Sequence, residues 1–214
     1  SDRSNAPTAS ALLRIMLLQQ IEVVWWAGEA PFADDAAVVG SAQLVSLPAL
    51  RRDRRLGFRY KIAPTALPGR ARNYAVRRWA PGRAPRSSGL SYGLARPAMV
   101  GLLNEVAARF AEAAPLWRRG LWVNCLVRSV AGQRRLQELG YSALLPSSHC
   151  VGFAADVEMA WLREHGVAEP LQEILLGYRD AGVLNVIDEG QAWHVGLSPA
   201  YAGHYARAVG TGGC

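Results

Sequence analysis

The run Ser147-Ser148-His149-Cys150-Val151-Gly152-Phe153-Ala154-Ala155-Asp156 sets an imidazole and a carboxylate seven positions apart. After 38 more residues comes Trp193-His194, inside the apolar run Ala192-Trp193-His194-Val195. Two histidines and one carboxylate are a donor set that a catalytic zinc ion accepts, with a fourth position left for water. The chemistry this set supports is metal-assisted hydrolysis. Asp156 lies among apolar residues, and a buried carboxylate needs a cation or hydrogen-bond donors, a need that a metal answers. Gly152 stands between the first two donors, where the backbone needs freedom to turn.

These residues must be held by regular elements. Phe153 to Val157 reads as a strand carrying Asp156, followed by a helix from about Glu158 to His165. Val183 to Ile187 and Gln191 to Leu197 are β-rich runs separated by Asp188-Glu189-Gly190, a hairpin signal that puts His194 on a strand. Leu121 to Val127 reads as a buried strand and Gly57 to Ile62 as a short one. Helical spacing marks Ala98 to Ala114, Ala131 to Leu139 (ended by Gly140) and Leu171 to Ala181 (ended by Gly182). Ala11 to Trp26 is apolar with helix-like spacing, and the small polar stretch Ser1 to Ser10 reads as a loose leader. From Pro68 to Pro97 the chain is dense in Pro, Gly and Arg, as a long loop or boundary would be. The pattern is α+β, a small, mainly antiparallel sheet flanked by helices. Residues 1–94 form an N-terminal extension, partly helical and loop-rich, that packs on the core. Residues 95–214 form the domain with the donors.

Composition sets further bounds. A chain of 214 residues is long enough for one sizeable core, and its mean hydropathy is near zero. No uncharged apolar run reaches the roughly 20 residues of a transmembrane helix. The best attempt, Ala11 to Trp26, is interrupted by Arg14, Gln19, Gln20 and Glu22. The chain does not begin with Met, as expected of a processed or trimmed N-terminus. Net charge is +7 and Lys61 is the only lysine, the arginine-for-lysine usage that GC-rich coding leaves. The functional alternative is attraction to an anionic wall polymer or another polyanion, with Arg51-Arg52-Asp53-Arg54-Arg55 the densest patch. No recognised nucleic-acid module accompanies the charge, so specific nucleic-acid binding is not expected. Three cysteines without CxxC spacing argue against a disulfide scaffold. Cys150 reads as a small buried residue, and a Cys125–Cys150 bridge stays open for an exported chain.

Ser147, His149, Gly152, Ala154 and Asp156 match the pattern SxHxxGxAxD, and Trp193-His194 matches a later tryptophan–histidine pair. From about Arg96 to Ala208 the chain therefore resembles the zinc peptidases that cleave D-Ala-D-Ala and related cell-wall peptides. Vancomycin-resistance dipeptidases and carboxypeptidases belong to this group, and the hedgehog signalling domain shares its fold. The resemblance implies that His149, Asp156 and His194 hold Zn2+. It implies that Arg128, in Leu126-Val127-Arg128-Ser129, faces the site to support an oxyanion or grip a substrate carboxylate. Ser147 and Trp193 are then expected to contact substrate. The substrates implied are peptidoglycan stem peptides, and the location is the periplasm or the outside of a bacterial cell.

In that family a carboxylate three residues before the last histidine moves the water's proton. Here the position is Gln191, whose amide can orient water but cannot act as a base. Three expectations compete. Asp188 or Glu189, with Glu189 preferred, supplies the base; the hydrolysis proceeds with little base assistance; or the domain binds wall peptide or a protein partner without cutting.

Overall fold

Residues 8–63, 84–87, 89–141 and 143–210 are described by the computed structural model. Helix α1 (Ala9–Trp25) starts where the Thr8 hydroxyl accepts from the Ala11 amide. After α2 (Asp35–Val39), strand β1 (Val45–Ser46) leads into α3 (Leu47–Arg52), capped by Ser46 with a proline in its first turn. Strand β2 (Leu94–Ala95) pairs antiparallel with β1 and runs into α4 (Pro97–Ala113), a helix buried along much of its length. There follow β3 (Val123–Cys125), α5 (Val130–Glu138), a 3-10 turn (Ser148–Cys150), β4 (Ala154–Glu158), α6 (Ala160–Glu164) and α7 (Ala168–Asp180). Strands β5 (Leu184–Asp188) and β6 (Ala192–Leu197) form the hairpin, and α8 (Pro199–Gly210) ends the described chain.

The fold is α+β, with two small antiparallel sheets and eight helices among the described residues. The larger sheet has the order β3-β4-β6-β5, so the last two strands of the chain lie beside the strand of Asp156. In its register Asp156 stands opposite His194, and Asn185 opposite Gly196. Side chains alternate between the two faces of a strand. On one face Ala155, Val157, Leu184, Val186, Trp193, Val195 and Leu197 join the main apolar core with α4, α7 and Tyr205 of α8. The other face carries Asp156, Asn185, His194 and Gly196, and α1 packs there against β5. Burying a large apolar side chain contributes about 1.5–3 kcal/mol, so the core face supports a polar face that could not stabilise the sheet alone.

Several boundaries differ from the sequence reading. Helix α1 begins inside the stretch expected to be a loose leader. The Gly57–Ile62 segment makes only isolated parallel bridges, Arg59 to Trp122 and Ile62 to Leu90. Most of the Pro- and Gly-rich stretch from Pro68 lies outside the described residues. The N-terminal segment is woven into the rest: Leu47, Leu50, Phe58 and Tyr60 belong to the main core, and the Phe32 amide donates to the Cys150 carbonyl.

Candidate metal centre

His149 sits in the 3-10 turn and is 4 % exposed. Its position is fixed from the β3–α5 connection: its carbonyl accepts from the Arg128 amide, and its Nδ1 lies 2.6 Å from the Leu126 carbonyl oxygen. A carbonyl can only accept, so Nδ1 carries a proton, and Nε2 is the nitrogen a metal would take in exchange for its own proton. That Nε2 is 3.1 Å from Asp156 Oδ1. The chain leaves the turn through Gly152 at φ +81°, where a Cβ would approach the Arg96 side chain to 3.1 Å. Arg96 braces this exit, with Nε donating to the Val151 carbonyl and its guanidinium against Phe153 and Glu29.

His194 is held in a matching way on β6. Its Nε2 contacts both carboxylate oxygens of Glu22 on α1, at 2.9 and 3.1 Å, and its Nδ1 is 3.2 Å from Asp156 Oδ1. The two imidazoles therefore turn one nitrogen each to the same carboxylate oxygen, while the other nitrogen is occupied by an oxygen acceptor. Outer partners of this kind fix the tautomer of a metal-binding histidine. Burial alone would lower the His194 pKa, but the Glu22 charge and bonds to Asp156 and Glu22 outweigh it and raise it to about 10. Burial likewise opposes charge on His149, and the Cys125 and Asp156 charges raise it well above its usual value. Asp156, pushed up by burial, is held well below the carboxylate range by His149 and His194. Without a metal the cluster thus holds positive charge around a carboxylate, in the place a cation would occupy.

Cys125, His149 and Asp156 bring donor atoms within 4.8 Å of one another and could hold a metal ion. Cys125 lies on the Nδ1 side of His149, with Sγ 3.6 Å from that nitrogen and 2.9 Å from an Arg128 nitrogen. Cys125 and Cys150 are both buried free thiols, so the bridge left open by the sequence is not formed. Cys150 is pushed up to about 11 by burial, as suits an inert packing residue.

A cavity of about 330 Å³ opens over these donors. His149, Asp156, His194, Arg128, Ser147 and Glu189 all line it, and α1 supplies Leu12, Ile15, Met16 and Gln19 as one wall. Arg128 is positioned by Gln133 at 2.6 Å and stands 3.8 Å from Asp156 Oδ2. Glu189, from the β5–β6 turn, accepts from Gln19 Nε2 at 3.0 Å. Burial, together with the Asp156 charge, raises its pKa above the usual glutamate value.

Two expected residues stand elsewhere. Gln191 is exposed outside the cavity, and its carbonyl accepts from the Met159 and Ala160 amides. Trp193, next to His194 on a strand, necessarily points to the opposite face and is 7 % exposed in the apolar core. Substrate contact by Trp193 and a catalytic part for the Gln191 side chain are therefore both corrected by position. Asp188 is also outside, bonded to Arg163 and the Gly190 amide. The residue missed from sequence is Glu22, 1 % exposed and hydrogen-bonded to His194, Ser148 and Asn185. Its signal was present: a carboxylate inside an apolar helical run needs a buried partner. Comparison with family models, curated proteins and solved structures yields no match to this chain.

Proposed function

We propose that the chain is a zinc-dependent peptidase acting on peptidoglycan stem peptides, with a sheet and site of the D-Ala-D-Ala peptidase and hedgehog type. The observation that carries the reading is the paired tautomer geometry, in which His149 Nε2 and His194 Nδ1 converge on Asp156 at the floor of the cavity. His149, Asp156 and His194 would hold the ion. The choice over Cys125 follows from His149, whose Cys-facing nitrogen is already bonded to the Leu126 carbonyl. When bound, zinc polarises a scissile carbonyl and lowers the pKa of a water toward about 7.

The remaining chemistry belongs to the side chains. Glu189 Oε takes a proton from the attacking water and returns it to the leaving amine, and its raised pKa favours that exchange near neutrality. Its carboxylate replaces the one missing at Gln191. Arg128 offers a fixed positive fork to the oxyanion or to a substrate carboxylate. Ser147 offers a hydroxyl to the peptide, and the apolar wall of Leu12, Ile15 and Met16 accepts small methyl-bearing residues while excluding water. A stem-peptide substrate implies the periplasm or cell exterior as the workplace, where free Cys125 and Cys150 are protected by burial.

Digestion of muropeptides by the zinc-loaded protein, read by mass spectrometry, tests the proposal. Peptide products are expected with zinc, none with chelator and none from His194→Ala. A protein that binds stoichiometric zinc and muropeptides yet releases nothing is a binding module instead. That reading is favoured by the exposed position of Gln191 where the family places its base.

A further inference from the structure

Helix α1 reaches the site at two points, three residues apart. Gln19 donates to Glu189, and Glu22 meets His194 Nε2. The Glu22 carboxylate also accepts from Ser148, the neighbour of His149, and from Asn185 Nδ2 at 2.7 Å. One carboxylate thus ties together the turn that carries the first histidine, the strand that carries the second, and β5. Asn185 in turn donates to the Leu18 carbonyl at 2.9 Å, fixing the helix backbone beside it.

The sheet is shaped to admit this group. Gly196 lies two residues beyond His194 on the same face, and a Cβ there would stand 2.1 Å from Glu22 Cδ. Any side chain at 196 would fill the space the carboxylate occupies. Three donors and a hole of carboxylate size are too specific for a packing contact of an apolar helix. Without α1 docked, the His194 Nε2–H, the Ser148 hydroxyl and the Asn185 amide lose their common acceptor.

We infer that Glu22 is a positioning residue of the metal centre, fixing the His194 ring so that α1 docking and metal capture are one coupled event. The inference rests on the metal reading above and adds to it that α1 is part of the site. Coupling is reciprocal: if docking sharpens the donor set, metal binding must tighten the helix to the sheet by the same factor.

The test uses the whole chain and zinc alone. Zinc affinity is measured by competition with a chromophoric chelator for wild type, Glu22→Gln and Leu17→Ala, the last an exposed position on the same helix. A glutamine keeps the shape but offers one acceptor oxygen in place of two. The expected result is a loss of about 10–100-fold for Glu22→Gln, as for other outer partners of metal-bound histidines, and none for Leu17→Ala. Hydrogen exchange on wild type, with and without zinc, gives a readout that needs no variant to fold. Zinc is expected to slow exchange of the α1 amides more than those of α7. Equal affinity of wild type and Glu22→Gln, or α1 exchange indifferent to zinc, overturns the coupling while leaving the metal site standing. Failure of wild type to bind zinc removes the site itself, and the coupling with it.

Discussion

His194 lies between two carboxylates, Glu22 on one ring nitrogen and Asp156 on the other, in a place with 3 % exposure. Its pKa of about 10 in the folded, metal-free chain compares with an ordinary 6.5. A raised folded pKa stabilises below the ordinary value, and that contribution is lost as pH climbs through the folded one. Metal-free protein is therefore expected to lose thermal stability between about pH 7 and pH 10, measured by calorimetry in chelator. Zinc competes with a proton for Nδ1, so its apparent affinity should rise over the same range. At the low end Asp156 and Glu22, both held below their ordinary values, give stability that is lost as pH falls through their folded pKa values. Glu189→Gln is expected to lower kcat by about 10²–10⁴-fold with zinc affinity unchanged. Gln191→Ala, at an exposed position, should leave kcat within about twofold; a larger fall would place the Gln191 side chain in the working site after all. The meeting of His149, Asp156 and His194 was legible because two sit in one short run and a hairpin signal returns the strand of the third beside them. Glu22 showed only that it needed a buried partner, since its partners lie 126 to 172 positions away and no local pattern can name them.

The elements divide by how locally they are specified. The β5–β6 hairpin follows from its turn, with Gly190 at φ +80° and β-rich arms, and α7 stops at Gly182 at φ +72° as its sequence suggests. Helix α1 was visible as apolar spacing, yet the face it covers was not. That face is polar, and only the sheet register reveals it. The brevity of β3 and the isolated bridges at Arg59 and Ile62 depend on which distant strand is near, which periodicity does not encode. Close packing gives two sharp tests. Gly101 on α4 has room for no Cβ, since one would stand 2.2 Å from the Tyr205 carbonyl oxygen of α8. Gly101→Ala should therefore cost about 1–3 kcal/mol in denaturant unfolding, through forced separation of the two helices. Gly196→Ala should instead weaken zinc binding, because its methyl group would overlap the Glu22 carboxylate on the polar face of the sheet.

For the whole molecule, the N-terminal extension packs on the core, with Leu47, Leu50, Phe58 and Tyr60 joining α4 and the sheet in one apolar cluster. No helix among the described residues is long and apolar enough to cross a membrane. Part of the arginine patch is tethered to the protein. Arg51 lies over the Tyr60 ring at 3.9 Å and donates to the Tyr60 carbonyl, and Arg55 is tied to the Val209 carbonyl. Arg51, Arg52 and Arg54 are all exposed, but Arg51 is tethered to Tyr60; if the chain binds an anionic polymer in a salt-sensitive way, removal of Arg52 and Arg54 should weaken it more than removal of Arg51. Arg51→Ala is expected to show up in thermal stability instead.

Glu22 leaves the ribosome long before His194 is made, because 172 positions separate them. A nascent chain halted before β5 holds His149 and Asp156 but neither the last histidine nor the strand that seats the helix. Contacts so distant in sequence form late and slowly. The three donors therefore cannot come together until β6 has been made, so the centre should assemble only after nearly all of the described chain has been synthesised.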